Sequence, residues 1–340
     1  MWHITNHVRT IDYHTAGEPF RIVVEGTPDI PGSTVAERRK AAASSPEIDA
    51  VRQFLCQEPR GHADMYGGFV VPADDDGADF GVLFWHKDGY STACGHGTIA
   101  LGVWAVETGR IASEPTGETA VTIDVPSGRV VARVTQVDGV VIGVVFNNVE
   151  SYPIARGVEV ETSAGRVSVD LSYSGAIYAS VDAGSVGLGV TPENYSELIK
   201  VGREIKWAVN DHSLARHPSD ARLSGVYGTI LYDDLGDTAD GPHQRNVTVF
   251  ADGEVDRSPC GSGTGARLAL LAASGRLAPG QTLTHDSIIG TRFLGHATPA
   301  PGGEDRRGIL PTVEGMAYKT GEHSFTLDPR DPIGTGFVLR

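Results

Sequence analysis

Two cysteines carry the strongest chemical signal in this 340-residue chain. Cys94 opens Cys94-Gly95-His96-Gly97-Thr98, and Cys260 opens Cys260-Gly261-Ser262-Gly263-Thr264. Counted from each cysteine, Gly at +1 and +3, Thr at +4, Ala at +6, Gly at +15 and Arg at +16 coincide, at a spacing of 166 residues. Six matched positions half a chain apart indicate an internal duplication, with one cysteine-led motif in each half. In both copies an Asp-Gly loop (Asp88-Gly89, Asp252-Gly253) precedes the motif, and an Ala-rich apolar run follows it to Gly109 or Gly275. That pattern predicts a buried helix with the thiol at its amino end and glycine at its carboxyl end.

A thiol in that place meets unpaired backbone N–H groups and the positive end of the helix dipole. Both favour the thiolate, so a lowered pKa is expected at Cys94 and Cys260, which become candidate acid/base or nucleophilic groups. The same donors attract a ligand carboxylate, and glycines at +1 and +3 would let the backbone approach it closely. If both motifs serve one small acid, one thiolate removes its α-proton and the other thiol returns a proton to the opposite face. The helix ends then stabilise the charge gathering on the carboxylate. Such stereoinversion requires no metal and no pyridoxal phosphate, and the pair works with one proton shared between two sulfurs.

Competing chemistries lack their residues. Cys56 has neither the repeat nor the glycines and reads as a core residue. No CxxC pair exists for zinc or a local dithiol. The Gly-rich turns lack a P-loop lysine and dinucleotide spacing. His14, His62 and Asp64 read as structural. Lys plus Arg (28) against Asp plus Glu (43) give a formal charge of -15, which disfavours nucleic acid and anionic membrane surfaces. No apolar run approaches a membrane span, and Met1 to His7 lack the order of a secretory signal. The reading is therefore cytoplasmic; a homodimer is one assembly it allows.

The elements that must position the motifs are mostly strands. Phe20–Glu25, Phe69–Val71, Phe80–Trp85, Val121–Val125, Val130–Val134, Val140–Phe146, Ile177–Val181, Val226–Tyr232, Asn246–Phe250 and Thr312–Gly315 are β-branched or aromatic and bounded by turn residues. A helical stretch from Ser33 to Cys56 should be split by Pro46, and Pro192–Trp207 reads as an amphipathic helix behind Thr191. Length and duplication predict two domains with one cysteine-bearing helix in each.

The two cysteine motifs, with Asp256-Arg257-Ser258-Pro259 before the second, Ile11-Asp12-Tyr13-His14-Thr15-Ala16-Gly17-Glu18-Pro19 and Glu58-Pro59-Arg60-Gly61-His62-Ala63-Asp64-Met65-Tyr66-Gly67, resemble the proline racemase family. That family includes hydroxyproline 2-epimerases and trans-3-hydroxy-L-proline dehydratases. The resemblance spans essentially the whole chain. It implies a diaminopimelate-epimerase-like α/β fold, two pseudo-symmetric domains, 1–128 with about 305–340 carrying Cys94 and 129–304 carrying Cys260, each wrapping strands around a central helix, with the active site in the interdomain cleft. It also implies cofactor-independent chemistry on proline or a hydroxyproline. By resemblance, Cys94 and Cys260 match the acid/base thiols, and His96 and Asp256 match residues near the substrate ring nitrogen. The backbone of Gly95, His96, Gly261 and Ser262 matches a carboxylate cradle, while Tyr66 and Phe250 fall where pocket walls lie.

Two departures bear on function. Ala93 stands where Met is usual. Gly61–Tyr66 and Val226–Leu231 look like the dehydratase or racemase branch, yet dehydratases of the family generally carry Thr at the second thiol position, where this chain has Cys260. Racemisation or 2-epimerisation is the favoured reading, with 3-hydroxyproline dehydration as its alternative. A non-catalytic imino-acid binder or thiol redox sensor is the alternative of another class.

Overall fold

A computed structural model describes residues 7–301 and 308–339. Residues 1–6 and the seam expected near 305 lie outside the described residues. The chain divides into two compact units, Met1–Val144 with Met316–Arg340, and Val145–Gly315.

In the first unit β1 (Val8–Thr15) and β2 (Glu18–Glu25) form an antiparallel hairpin. Two helices follow, α1 (Val35–Ser44) and α2 (Pro46–Cys56). Thr34 and Ser45 cap them through their side chains, and Pro46 divides them as expected, because its ring suits a first helical turn and no interior position. The chain re-enters the sheet as β3 (Gly67–Val71), parallel to β2, then β4 (Phe80–His86), antiparallel to β3, with β5 (Gly89–Tyr90) folding back on it. After α3 (Gly95–Glu107), β6 (Gly117–Val125) lies parallel to β4 and pairs along its length with β7 (Gly128–Val137). A seam at 128/129 would part that hairpin; the division falls instead within β8 (Val140–Asn147).

The second unit repeats these pairing types. β9 (Tyr152–Thr162), β10 (Gly165–Tyr173) and β11 (Ile177–Asp182) are consecutive antiparallel strands. A 3-10 turn at Pro192–Asn194 leads into α4 (Tyr195–Asn210), after which β12 (Val226–Asp237) runs parallel to β11. β13 (Pro242–Phe250) is antiparallel to β12 and carries β14 (Glu254–Asp256). Beyond α5 (Gly261–Ala273), β15 (Leu283–Ser287) lies parallel to β13, followed by antiparallel β16 (Arg292–Pro299) and β17 (Ile309–Gly315). β18 (Ala317–Phe325) returns to the first unit beside β1. The parallel pairs β2–β3 and β4–β6 around α3 thus recur as β11–β12 and β13–β15 around α5. The α/β architecture implied by the family resemblance is the one observed.

Each cysteine-bearing helix is the axis of its unit. α3 is buried from Gly95 to Val106 and α5 from Gly261 to Leu271. Helices apolar on every side are stable only when wrapped, and the strands wrap these. Close approach requires small residues: a Cβ at Gly102 would lie 2.6 Å from the Ala132 Cβ on β7. Gly109 and Gly275 end the two helices at φ 68° and 73°, and the N–H groups that follow close onto Ala105 and Leu271.

Candidate active site

Cys94 caps α3. Its Sγ accepts the Gly97 N–H at 3.2 Å and its carbonyl accepts the Thr98 N–H at 3.0 Å. The His96 ring stands beside the sulfur, with Nδ1 at 3.5 Å. His96 is held from two sides. Thr15 at the end of β1 donates its hydroxyl to the His96 carbonyl at 2.8 Å, and the ring meets Tyr66 edge-on with centroids 4.9 Å apart. Tyr66 is hydrogen-bonded to Ser91, and Phe20 packs against both Tyr66 and His96. The first unit therefore brings together Cys94, His96 and Tyr66, all from the sequence expectation, and adds Thr15, Phe20 and Ser91.

Cys260 repeats the cap on α5, its Sγ accepting the Gly263 N–H at 3.3 Å and its carbonyl the Thr264 N–H at 2.7 Å. Its backbone differs from its counterpart: φ is 62° at Cys260 and -157° at Cys94. A side-chain residue at positive φ costs on the order of 1–3 kcal/mol and persists only where its surroundings enforce it. Ser258 does so here: its Oγ accepts the Cys260 N–H at 3.0 Å and donates to Asp256 Oδ1 at 2.7 Å, which also accepts the Ser258 N–H at 2.8 Å. Asp256, at the end of β14, is thereby tied through Ser258 to the Cys260 backbone and also stands within hydrogen-bonding reach of the thiol. Tyr178, Ile230, Ala176 and Ala266 pack with Cys260, joined by Tyr227. Phe250 stacks on Tyr227 at 5.6 Å, one ring beyond that group.

In each copy the first intrahelical bond is Thr98 to Cys94 or Thr264 to Cys260, so the helix itself offers no acceptor to the N–H groups of Gly95, His96, Gly261 and Ser262. Those are the residues expected to cradle a carboxylate. Ser262 adds a side chain: its Oγ is buried without a hydrogen-bond partner among the described residues, and a buried orphan hydroxyl calls for an explanation such as a ligand.

Two expectations are corrected. The thiol at a helix end was expected to have a lowered pKa, but Cys260 is held well above the ordinary thiol range. Burial is the largest cause and the Asp256 charge adds to it; the Gly263 N–H acts in the expected direction and is outweighed. The glycines at +3 do not clear space for a ligand. A Cβ at Gly97 would run into the Phe20 ring and sit 2.8 Å from Cys94 Sγ, and one at Gly263 would sit 3.0 Å from Cys260 Sγ. Both glycines make room for the sulfur of their own cap.

The residues that reasoning from sequence missed lie inside or beside quoted motifs. Thr15 belongs to the Ile11–Pro19 segment and carries no spacing signal; Ser258 lies two residues before Cys260 as Thr92 does before Cys94, and that shared hydroxyl was the available signal. Tyr178, Tyr227 and Ile230 looked like ordinary strand residues. Cys56 is buried with its thiol 3.3 Å from the Met65 carbonyl, within the first unit's apolar core.

Paired α/β units, each with a cysteine-capped central helix, define the class of epimerase-like isomerases. The proline racemase model matches residues 10–338. A trans-3-hydroxy-L-proline dehydratase from Azospirillum brasilense is 44% identical over 339 residues, covering 99% of both chains. A 3-hydroxyproline 2-epimerase from Burkholderia multivorans is 43% identical over 339 residues, with the same 99% coverage. Among solved structures, a hydroxyproline epimerase from Agrobacterium vitis with bound trans-4-hydroxy-L-proline matches with a TM-score of 0.88 at 32% identity, covering 98% of this chain and 96% of that one. The chain belongs to the proline racemase family, and it is an enzyme of that isomerase family.

Proposed function

We propose that the protein racemises or 2-epimerises proline or a hydroxyproline without a cofactor, Cys94 and Cys260 acting as the two acid/base groups. The observation that carries this reading is the repeated cap: in each unit a cysteine sulfur accepts the N–H three residues on, at the start of a buried helix. A sulfur so held is fixed in direction, which general acid/base catalysis requires. Gly95, His96, Gly261 and Ser262 present first-turn N–H groups to the substrate carboxylate and to the charge that develops there as Cα loses its proton. His96 and Asp256 meet the ring nitrogen. Tyr66 and Phe250 wall the ring, with a small-molecule substrate as the only partner required. Burial and the Asp256 charge favour the protonated form of Cys260, which suits that thiol to donate.

Dehydration of trans-3-hydroxy-L-proline is the second reading, favoured by the name of the Azospirillum brasilense relative. It needs one base at Cα and departure of the 3-hydroxyl, so Cys94 alone suffices for its carbon acid step. Cys260 is the residue that argues against it, because a second thiol serves reprotonation from the far side. Incubation with L-proline, trans-4-hydroxy-L-proline and trans-3-hydroxy-L-proline, followed by chiral chromatography and an imine reductase assay, separates the two. Inverted isomers support epimerisation; a cyclic imine with no inverted isomer supports dehydration; no conversion of any ring defeats both. A cytoplasmic location and homodimeric assembly belong to the same proposal.

A further inference from the structure

We infer that Ser258 is a positioning residue for the second thiol: one fully buried hydroxyl ties the Asp256 carboxylate to the Cys260 backbone and holds both in the orientation used for proton delivery. The inference rests on the two-thiol reading above. Ser258 is completely inaccessible to solvent. Its single hydroxyl proton goes to Asp256 Oδ1 at 2.7 Å, which leaves its oxygen lone pairs to accept the Cys260 N–H at 3.0 Å. Its own N–H closes onto the same carboxylate oxygen at 2.8 Å. The carboxylate, the serine and the cysteine thus form one hydrogen-bonded turn with no slack in it.

The turn helps hold Cys260 at φ 62°. The N–H is pinned by Ser258 at 3.0 Å and the sulfur accepts the Gly263 N–H at 3.3 Å, so backbone and thiol are held together. Loss of the hydroxyl would leave the Cys260 N–H buried without its acceptor and relax the strained backbone, swinging the sulfur away from its place. Asp256 would lose the Ser258 hydroxyl as a donor at the same time. The first repeat carries Thr92 where the second carries Ser258, so a threonine hydroxyl is the natural conservative replacement.

The test compares Ser258→Ala, Ser258→Thr and Cys260→Ser in the full-length protein, measuring inversion of the accepted imino acid and the rate at which iodoacetamide labels Cys260 relative to Cys94 by peptide mass spectrometry. Ser258→Ala is expected to lower kcat by about ten- to a hundredfold, part of what a positioned acid/base group supplies. KM should move by no more than roughly threefold, since the loss falls on the transition state. Labelling of Cys260 should change while that of Cys94 does not, and Ser258→Thr should restore both readouts. A soluble Ser258→Ala protein with native kcat and native Cys260 labelling overturns the inference, and so does loss of activity that Ser258→Thr fails to restore. Native inversion by Cys260→Ser would instead defeat the two-thiol reading itself, whatever the serine variants do.

Discussion

At the residue scale, the two caps look alike in their sulfur contacts and differ in their surroundings. Cys94 has an imidazole beside it; Cys260 has a carboxylate beside it that is also tied to its backbone through Ser258. Replacing either cysteine by serine exchanges a thiol for a far weaker acid in the same place, so each change should lower the inversion rate by about 10²- to 10⁴-fold, as read by polarimetry. Near-native inversion by either variant would remove the assigned roles. The pH dependence follows from the sign of the Cys260 shift. Its protonated form is favoured by burial and by Asp256, so in the direction where Cys260 donates, kcat/KM should show no fall through the ordinary thiol range near about 8.5. A decline centred on that ordinary value would show that Cys260 is not held protonated. The aromatic walls predict specificity rather than rate: Tyr66→Phe breaks the bond to Ser91 without removing the ring, whereas Phe250→Ala opens space beside Tyr227. The second change should alter the ranking of proline against the hydroxyprolines in a substrate panel, and an unchanged ranking would take Phe250 out of the pocket.

At the element scale, α3 and α5 were legible because glycine, threonine and alanine recur at fixed offsets from a cysteine, and those offsets are dictated by close contact. Gly97 and Gly263 must clear their own caps, and Gly102 must let α3 lie against β7. Gly102→Val should cost about 1–3 kcal/mol through overpacking against Ala132 and Val134, measured as a lower denaturation midpoint. Strands β9, β15, β16 and β18 were illegible for the opposite reason. β15 reads Leu-Thr-His-Asp-Ser, yet every residue is buried: Asp286 pairs with His243 and Arg292, and the Ser287 hydroxyl bonds Thr291. His285 on β15 is an example: it bonds Thr264 on α5 at 2.8 Å, and burial lowers its pKa to about 3, with Arg267 adding to the effect. A base whose folded pKa is depressed contributes stability that is complete above its unfolded value of about 6.5 and is lost as pH falls from there toward about 3. Unfolding followed across that window should steepen with acid, and His285→Asn should flatten the dependence. An unaltered pH profile in that variant would assign the acid sensitivity to other groups.

At the scale of the whole molecule, duplication was the most informative feature of the sequence. It forecast two units of one topology, and the matching parallel pairs β2–β3 and β11–β12, β4–β6 and β13–β15, bear out that architecture. The seams were less legible than the motifs, since nothing in the composition of β7 shows that its hairpin belongs with the first unit. Thr15 escaped notice because a lone hydroxyl acquires meaning only when a fold brings it to a partner. What the account claims above all is that hydrogen leaves one face of Cα and returns to the other through different groups. Conversion in heavy water, stopped at a few per cent and resolved by chiral chromatography with mass detection, tests this most directly. The account predicts one deuterium at Cα of the inverted isomer and almost none in the recovered starting isomer. Equal labelling of the two isomers would contradict it, because one group would then be serving both faces.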